Sequence, residues 1–431
     1  MPYPIKRWEE TALTDSASQD WTFATAPTRD LTHSYHDYPG RMIPQVAGKL
    51  LDTYGREAHL LFDPYCGTGT SLVEGMIQGI NVIGTDLNPL ARLIAKAKTS
   101  PPEPDNLSGL KKQLKALAEF IAARKIIGLP QHIPGISRLD FWFKPQVIEK
   151  LSVLKSFIDE LSDEAERLFF QVAFSETVRE SSNTRNEEFK LYRYDEERLR
   201  KFDPDVFGIM TTKLKRNLAG LEQFIDRLLC LKQIPHARIY DFDTKINVPA
   251  NSVPPASIDI VVTSPPYGDS HTTVAYGQYS RLSSAWLGFK APEKVDRKLM
   301  GGSVLQNVPT FPSSELNRAI ELIRLKDERR AREVASFYSD LQCSISHVSN
   351  SIKRGGYACY VVGNRKVKGV VLPTDIAIRH FFEAHGFTHV DTFHRRIPNK
   401  RMPLRNSPTN MTGQVENTMV NEHIIVMRRR N

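Results

Sequence analysis

The chain has 431 residues, 40% of them hydrophobic, and carries 58 Lys and Arg against 49 Asp and Glu for a formal net charge of +9. That length suits two or three domains of ~150 residues and supplies a sizeable core. No apolar run reaches the ~18 residues of a membrane span, no signal-peptide pattern opens the chain, and Cys66, Cys230, Cys343 and Cys359 form no C-x-x-C pair, which argues against a membrane protein, a disulfide scaffold and a zinc site and leads us to expect a cytoplasmic chain.

Residues Met1 to Thr28 are polar and mixed and read as an irregular arm. Leu60 to Asp63 reads as a strand, followed by a glycine turn and a helix over Ser71 to Gln78 with Gly79 as its cap. Asn81 to Asp86 gives a second strand, and Asn88 caps a helix from Pro89 to Lys98. This βαβα start is the signature of an open parallel sheet. Pro101, Pro102 and Pro104 then form a linker, and apolar spacing (Val147, Leu151, Leu154, Phe157, Leu161) predicts a mostly helical insertion from Leu110 to Leu231. The sheet resumes at Ala237 to Asp241 and again at Ile258 to Thr263. A variable region spans 287–330, a helix covers Val334 to Ile352, and a strand covers Tyr357 to Val362. Thr388 to His394 and His423 to Arg428 read as a closing antiparallel pair. The predicted fold is α/β: a doubly wound, mostly parallel seven-stranded, Rossmann-like sheet with a helical insertion. Its divisions are 1–100 (arm and cofactor half), 101–232 (insertion, a candidate target-recognition region) and 233–431 (catalytic half).

Between the first strand and its helix lies Phe62-Asp63-Pro64-Tyr65-Cys66-Gly67-Thr68-Gly69-Thr70. Gly67 and Gly69 permit close backbone approach, and the helix N-terminus offers free N–H groups. Asp86, ending the second strand, suits a ribose diol. A dinucleotide site would want a third glycine where Leu72 stands, and Asp63 would repel a pyrophosphate but attract an ammonium or sulfonium. The turn therefore favours S-adenosylmethionine, although glycines alone also fit a tight turn without a ligand. Tyr65, Thr70, Asn88 and Asp241 complete the candidate set on this side, and no metal ligand is expected.

Thr263-Ser264-Pro265-Pro266-Tyr267 follows a buried strand. An exocyclic amine has its lone pair tied up in the ring; acceptors on both its hydrogens pull the nitrogen towards tetrahedral geometry and free that pair. The Ser264 hydroxyl and the Pro265 carbonyl are such acceptors, Pro266 helps to fix the loop, and Tyr267 offers a face for a flipped base. No Pro-Cys dipeptide occurs, so a covalent cysteine route to carbon-5 of cytosine has no evident nucleophile.

These segments resemble the amino-methylating DNA methyltransferases of restriction–modification systems: Asp63 to Thr70 is similar to the family's cofactor motif and Ser264 to Tyr267 to its catalytic motif. His36-Asp-Tyr38-Pro39-Gly-Arg41 resembles the segment that helps hold the methionine part, which adds Tyr38 to the cofactor set; Gly363-Asn364-Arg365 and the tail from Arg395 to Pro403 also resemble recurrent family segments. The resemblance implies S-adenosylmethionine as cofactor, double-stranded DNA as substrate and a cognate restriction endonuclease as a candidate partner. Serine at the head of the catalytic motif is similar to the N4-cytosine group; N6-adenine remains the alternative. The basic balance, with Arg396, Lys400 and Arg401 in the tail and Arg185 and Arg193 in the insertion, suits phosphate contact.

Overall fold

The computed structural model describes residues 20–101, 107–127, 134–186, 190–268, 274–397, 405–406, 416–417 and 421–431. One sheet holds β1 (Leu60–Asp63), β2 (Asn81–Thr85), β3 (Ala237–Tyr240), β4 (Ile258–Thr263), β5 (Ile352–Val362), β6 (Phe387–Arg396) and β7 (Asn421–Arg429). Their spatial order is β3-β2-β1-β4-β5-β7-β6. Pairing is parallel from β3 to β5, while β7 runs antiparallel to both β5 and β6. The expected doubly wound Rossmann-like sheet with a closing antiparallel pair is the observed one.

Both faces of the central strands are covered, which is why β4 is apolar along nearly its whole length and buried throughout. Alternate side chains divide between two cores. Leu61, Ile260 and Val262 pack with Val46 and Leu50 of α1 (Pro44–Tyr54) and Leu72 of α2 (Thr70–Ile77). Phe62 and Val261 pack on the opposite face with Ile345 of the long helix Glu328–Ser351 and Phe381 of helix Thr374–Glu383. The sheet order reverses between β1 and β4, so their carboxyl ends frame the crevice where α/β sheets bind ligands.

Helix α3 (Pro89–Thr99) starts at Asn88, whose side chain accepts from the Leu90 N–H. The insertion contains α4 (Leu107–Ile127), α5 (Pro145–Glu160), α6 (Glu164–Ser181) and α7 (Val206–Leu229), with two shorter helices. Its core includes Phe143, Phe170 and Leu214 but also Tyr38 from the N-terminal loop, Leu90 from α3, and Trp286 from α8 (Tyr276–Trp286). The helical segment thus shares a core with residues from both flanking parts of the sheet domain. No described helix is long and apolar enough to cross a membrane.

Candidate active site

Asp63 ends β1 with its carboxylate turned inward. It accepts hydrogen bonds from the hydroxyls of Ser71 and Thr263 and, at 3.0 Å, from the Tyr65 N–H. Burial pushes its acid up to about 6, against the pull of those three bonds. Gly67 and Gly69 both have positive φ, +49° and +76°. At Gly69 a Cβ would also sit 3.2 Å from Ala95, so the turn into α2 needs glycine for conformation and for space.

The Asp86 carboxylate ties the turn together: one oxygen accepts the Gly67 N–H at 3.0 Å and the other the Asn88 N–H at 2.7 Å. Each oxygen keeps a lone pair for a ligand hydroxyl. Asn88 donates to the Tyr38 hydroxyl at 2.7 Å while capping α3. Tyr38 lies stacked on Tyr276, ring centroids 5.9 Å apart and planes 10° from parallel. Asp63, Tyr65, Gly67, Thr70, Asp86, Asn88 and Tyr38 all line one crevice holding about 960 Å³ of empty space including its mouth. Gly69 stands just behind it and shapes the turn.

Asp241 corrects the expectation. β3 ends at Tyr240, and the Asp241 side chain is 78% exposed, with Arg92 at 3.9 Å as its ionic neighbour. Phe242, Asp243 and Thr244, one to three residues further on, line the crevice in its place. Arg41, from the segment expected to hold the methionine part, also lines it, as do Tyr276, Leu299 and Met300, which were not anticipated. A second acid two residues past Asp241 was the one local signal.

The loop after β4 reaches the same crevice. Ser264 and Pro266 line it, whereas Pro265 is buried behind and Tyr267 is partly exposed beside it. The Ser264 hydroxyl donates towards the Val361 carbonyl at 3.0 Å, with the Tyr267 hydroxyl at 3.3 Å. Tyr267 donates to Glu422 at 2.8 Å, and Glu422 is ion-paired with Arg395. Burial, reinforced by Glu422, holds the Tyr267 phenol well above its usual range, so it stays a neutral donor.

No family model matches the chain. It is 40% identical over 433 residues to the type II methyltransferase M.MvaI of Kocuria varians, spanning 94% of this chain and 93% of that one. The chain belongs to the type II methyltransferases. Its cofactor is S-adenosylmethionine. M.MjaII of Methanocaldococcus jannaschii, another type II methyltransferase, is 36% identical over 96 residues, 22% of this chain and 18% of that one. Among solved structures, a SAM-dependent methyltransferase from Methanosarcina mazei aligns over 88% of this chain and 97% of its own at 9% identity and a TM-score of 0.32.

For this methyltransferase the raised acidity range of Asp63 makes a prediction. A cation beside the carboxylate favours its ionised form. Cofactor affinity should therefore be full above pH 6 and weaken as pH falls below it, by up to ~10-fold per unit for one linked proton. Calorimetry from pH 5 to 7.5 reads this, and Asp63→Asn should flatten the profile; a flat wild-type profile rejects the Asp63 contact.

The residues expected to meet phosphate fare unevenly. Arg185 and Arg396 are exposed. Arg193 is engaged elsewhere: it pairs with Glu196 at 2.5 Å, donates to the Phe141 carbonyl at 3.1 Å and lies 4.6 Å over the Phe141 ring. Those bonds hold the insertion's loop together and leave it a structural arginine. Lys400 and Arg401 lie outside the described residues. Of the wider basic tail, Arg395 is buried on Glu422 and Arg428 lies 5.3 Å over the Tyr357 ring, so part of that charge serves folding.

Proposed function

We propose that this type II methyltransferase transfers the methyl group of S-adenosylmethionine to the exocyclic N4 amine of a cytosine flipped out of double-stranded DNA. The observation that carries the reading is the Ser264 hydroxyl at the rim of the cofactor crevice. Its hydrogen is directed at the Val361 carbonyl, so its lone pairs remain to accept an amine hydrogen. The Pro265 carbonyl takes the second hydrogen, and Tyr267, oriented by Glu422, gives the base a stacking face.

The crevice suits the cofactor by its donor set. Asp63 faces the cationic methionine end, with Tyr38, Tyr65 and Thr70 around it; the turn at Gly67 and Gly69 admits close approach; Asp86 takes the ribose diol, held by Asn88. When bound, S-adenosylmethionine supplies an electrophilic methyl group on sulfur. The chain's part is to hold the amine in line, accept hydrogen bonds from its two hydrogens, one of which leaves to solvent as a proton once the methyl is transferred, and exclude water, with no covalent step on the protein.

The expected setting is restriction–modification in the cytoplasm, where methylation shields a site from a cognate endonuclease. Mass spectrometry of nucleosides from DNA of expressing cells tests the base: N4-methylcytosine supports the reading, and N6-methyladenine overturns the base assignment while keeping the enzyme class. Arg185 and Arg396 are the exposed candidates for phosphate contact, joined by the undescribed Lys400 and Arg401. Affinity for duplex DNA should fall with a log–log salt slope of about −0.9 per phosphate neutralised, and Arg396→Met should make that slope shallower by about one unit. An unchanged slope removes Arg396 from the interface.

A further inference from the structure

No described residue of the insertion lines the cofactor crevice, yet two of its helices grip the loop that does. Glu176 on α6 is 2% exposed and accepts the Asp37 N–H at 3.1 Å. Its other oxygen pairs with Arg216 on α7 at 2.6 Å, and Lys213 stands 3.5 Å away. The same Arg216 nitrogen donates to the Tyr35 carbonyl at 2.7 Å. Backbone on both sides of His36 is therefore held by one carboxylate–guanidinium couple from the insertion. Tyr38, the next residue, presents its ring to the crevice and its hydroxyl to Asn88.

We infer that Glu176 is a positioning residue for the cofactor: with Arg216 it fixes residues 35–38, and so the Tyr38 wall of the crevice, making the helical insertion part of the cofactor site. This rests on the assignment of that crevice to S-adenosylmethionine. The couple is well placed for the task. An N–H and a carbonyl two residues apart need an acceptor and a donor at fixed spacing, and a bonded carboxylate and guanidinium supply both from rigid helices. A loop left loose would have to be ordered by the incoming ligand, and that cost appears in affinity rather than in chemistry.

The test uses the full chain, S-adenosylhomocysteine in calorimetry, and methyl incorporation into unmodified genomic DNA. Glu176→Met should raise the dissociation constant about tenfold and raise the cofactor KM in parallel, with kcat at saturating cofactor within about twofold of wild type. Glu176→Gln keeps an acceptor for Asp37 and should recover most of the affinity. Should Glu176→Met fail to fold, Arg216→Lys keeps the charge on a shorter side chain that falls short of the Tyr35 carbonyl, and should weaken binding about threefold. Unchanged affinity in these variants overturns the inference, as does a loss of kcat matching the loss of affinity. Asp86→Ala separates the premises: if it leaves affinity intact, the crevice assignment has failed instead.

Discussion

Ser264→Ala should lower turnover by about 100-fold or more while leaving cofactor affinity within about twofold. The hydroxyl lines the crevice, and removing it leaves the bonds that Asp63, Asp86 and Asn88 make there intact. In the proposed reaction what is lost is an acceptor for an amine hydrogen, and its worth grows as the nitrogen changes from planar to tetrahedral. An interaction stronger in the transition state than in the ground state appears in kcat, and about 100-fold corresponds to ~2.7 kcal/mol of barrier. The folded protein loses the hydroxyl's bond to the Val361 carbonyl and its longer contact with the Tyr267 hydroxyl, ~1 kcal/mol, so the variant should remain folded. Single-turnover methylation with saturating cofactor is the measurement. Turnover within a few-fold of wild type would remove Ser264 from the chemistry, and Ser264→Thr, which restores a hydroxyl, should recover part of the rate.

Much of this site was legible because its parts are local. β1 and β4 are interior parallel strands, apolar but for Asp259 until their last residue, where Asp63 and the Thr263-Ser264 turn break the pattern. The Asn88-Pro89 start of α3 carries its cap in the sequence itself. What escaped was non-local. The helix Thr374–Glu383 was not predicted: it is short, and its N-terminal donors are met by Asn364, ten residues back, at 3.0 Å. β5 begins at Ile352, earlier than Tyr357, because its pairing with β4 is irregular and Gly355 takes a positive φ of +75°, which lets the polar Lys353 to Gly356 stretch belong to a strand. Asp243 was passed over for Asp241 because the strand boundary says little about which later residue turns inward. Tyr276 reaches the crevice from a segment far from the glycine turn, and no spacing rule connects it to that turn.

Arg395→Met should destabilise the fold by ~3–5 kcal/mol, although Arg396→Met next to it should cost no more than ~0.5 kcal/mol. Consecutive residues of a strand point to opposite faces, so two arginines that look alike in sequence meet different surroundings. Arg395 is 6% exposed, ion-paired with Glu422 and donating to the Trp21 carbonyl at 2.9 Å. Methionine in its place strands the Glu422 carboxylate in a poorly hydrated position, with the Tyr267 hydroxyl as its remaining donor among the described residues. Desolvating an unpaired charge is what makes breaking such a pair expensive. The exposed Arg396 has no such burden, and its loss should register in the salt dependence of DNA binding. Denaturant melts compare the two variants directly. Adding Glu422→Leu to Arg395→Met should restore much of the lost stability, since an apolar pair removes the stranded charge. If Arg395→Met melts like wild type, the buried pair contributes nothing to folding, and the tail's arginines must be counted again as free charge for DNA.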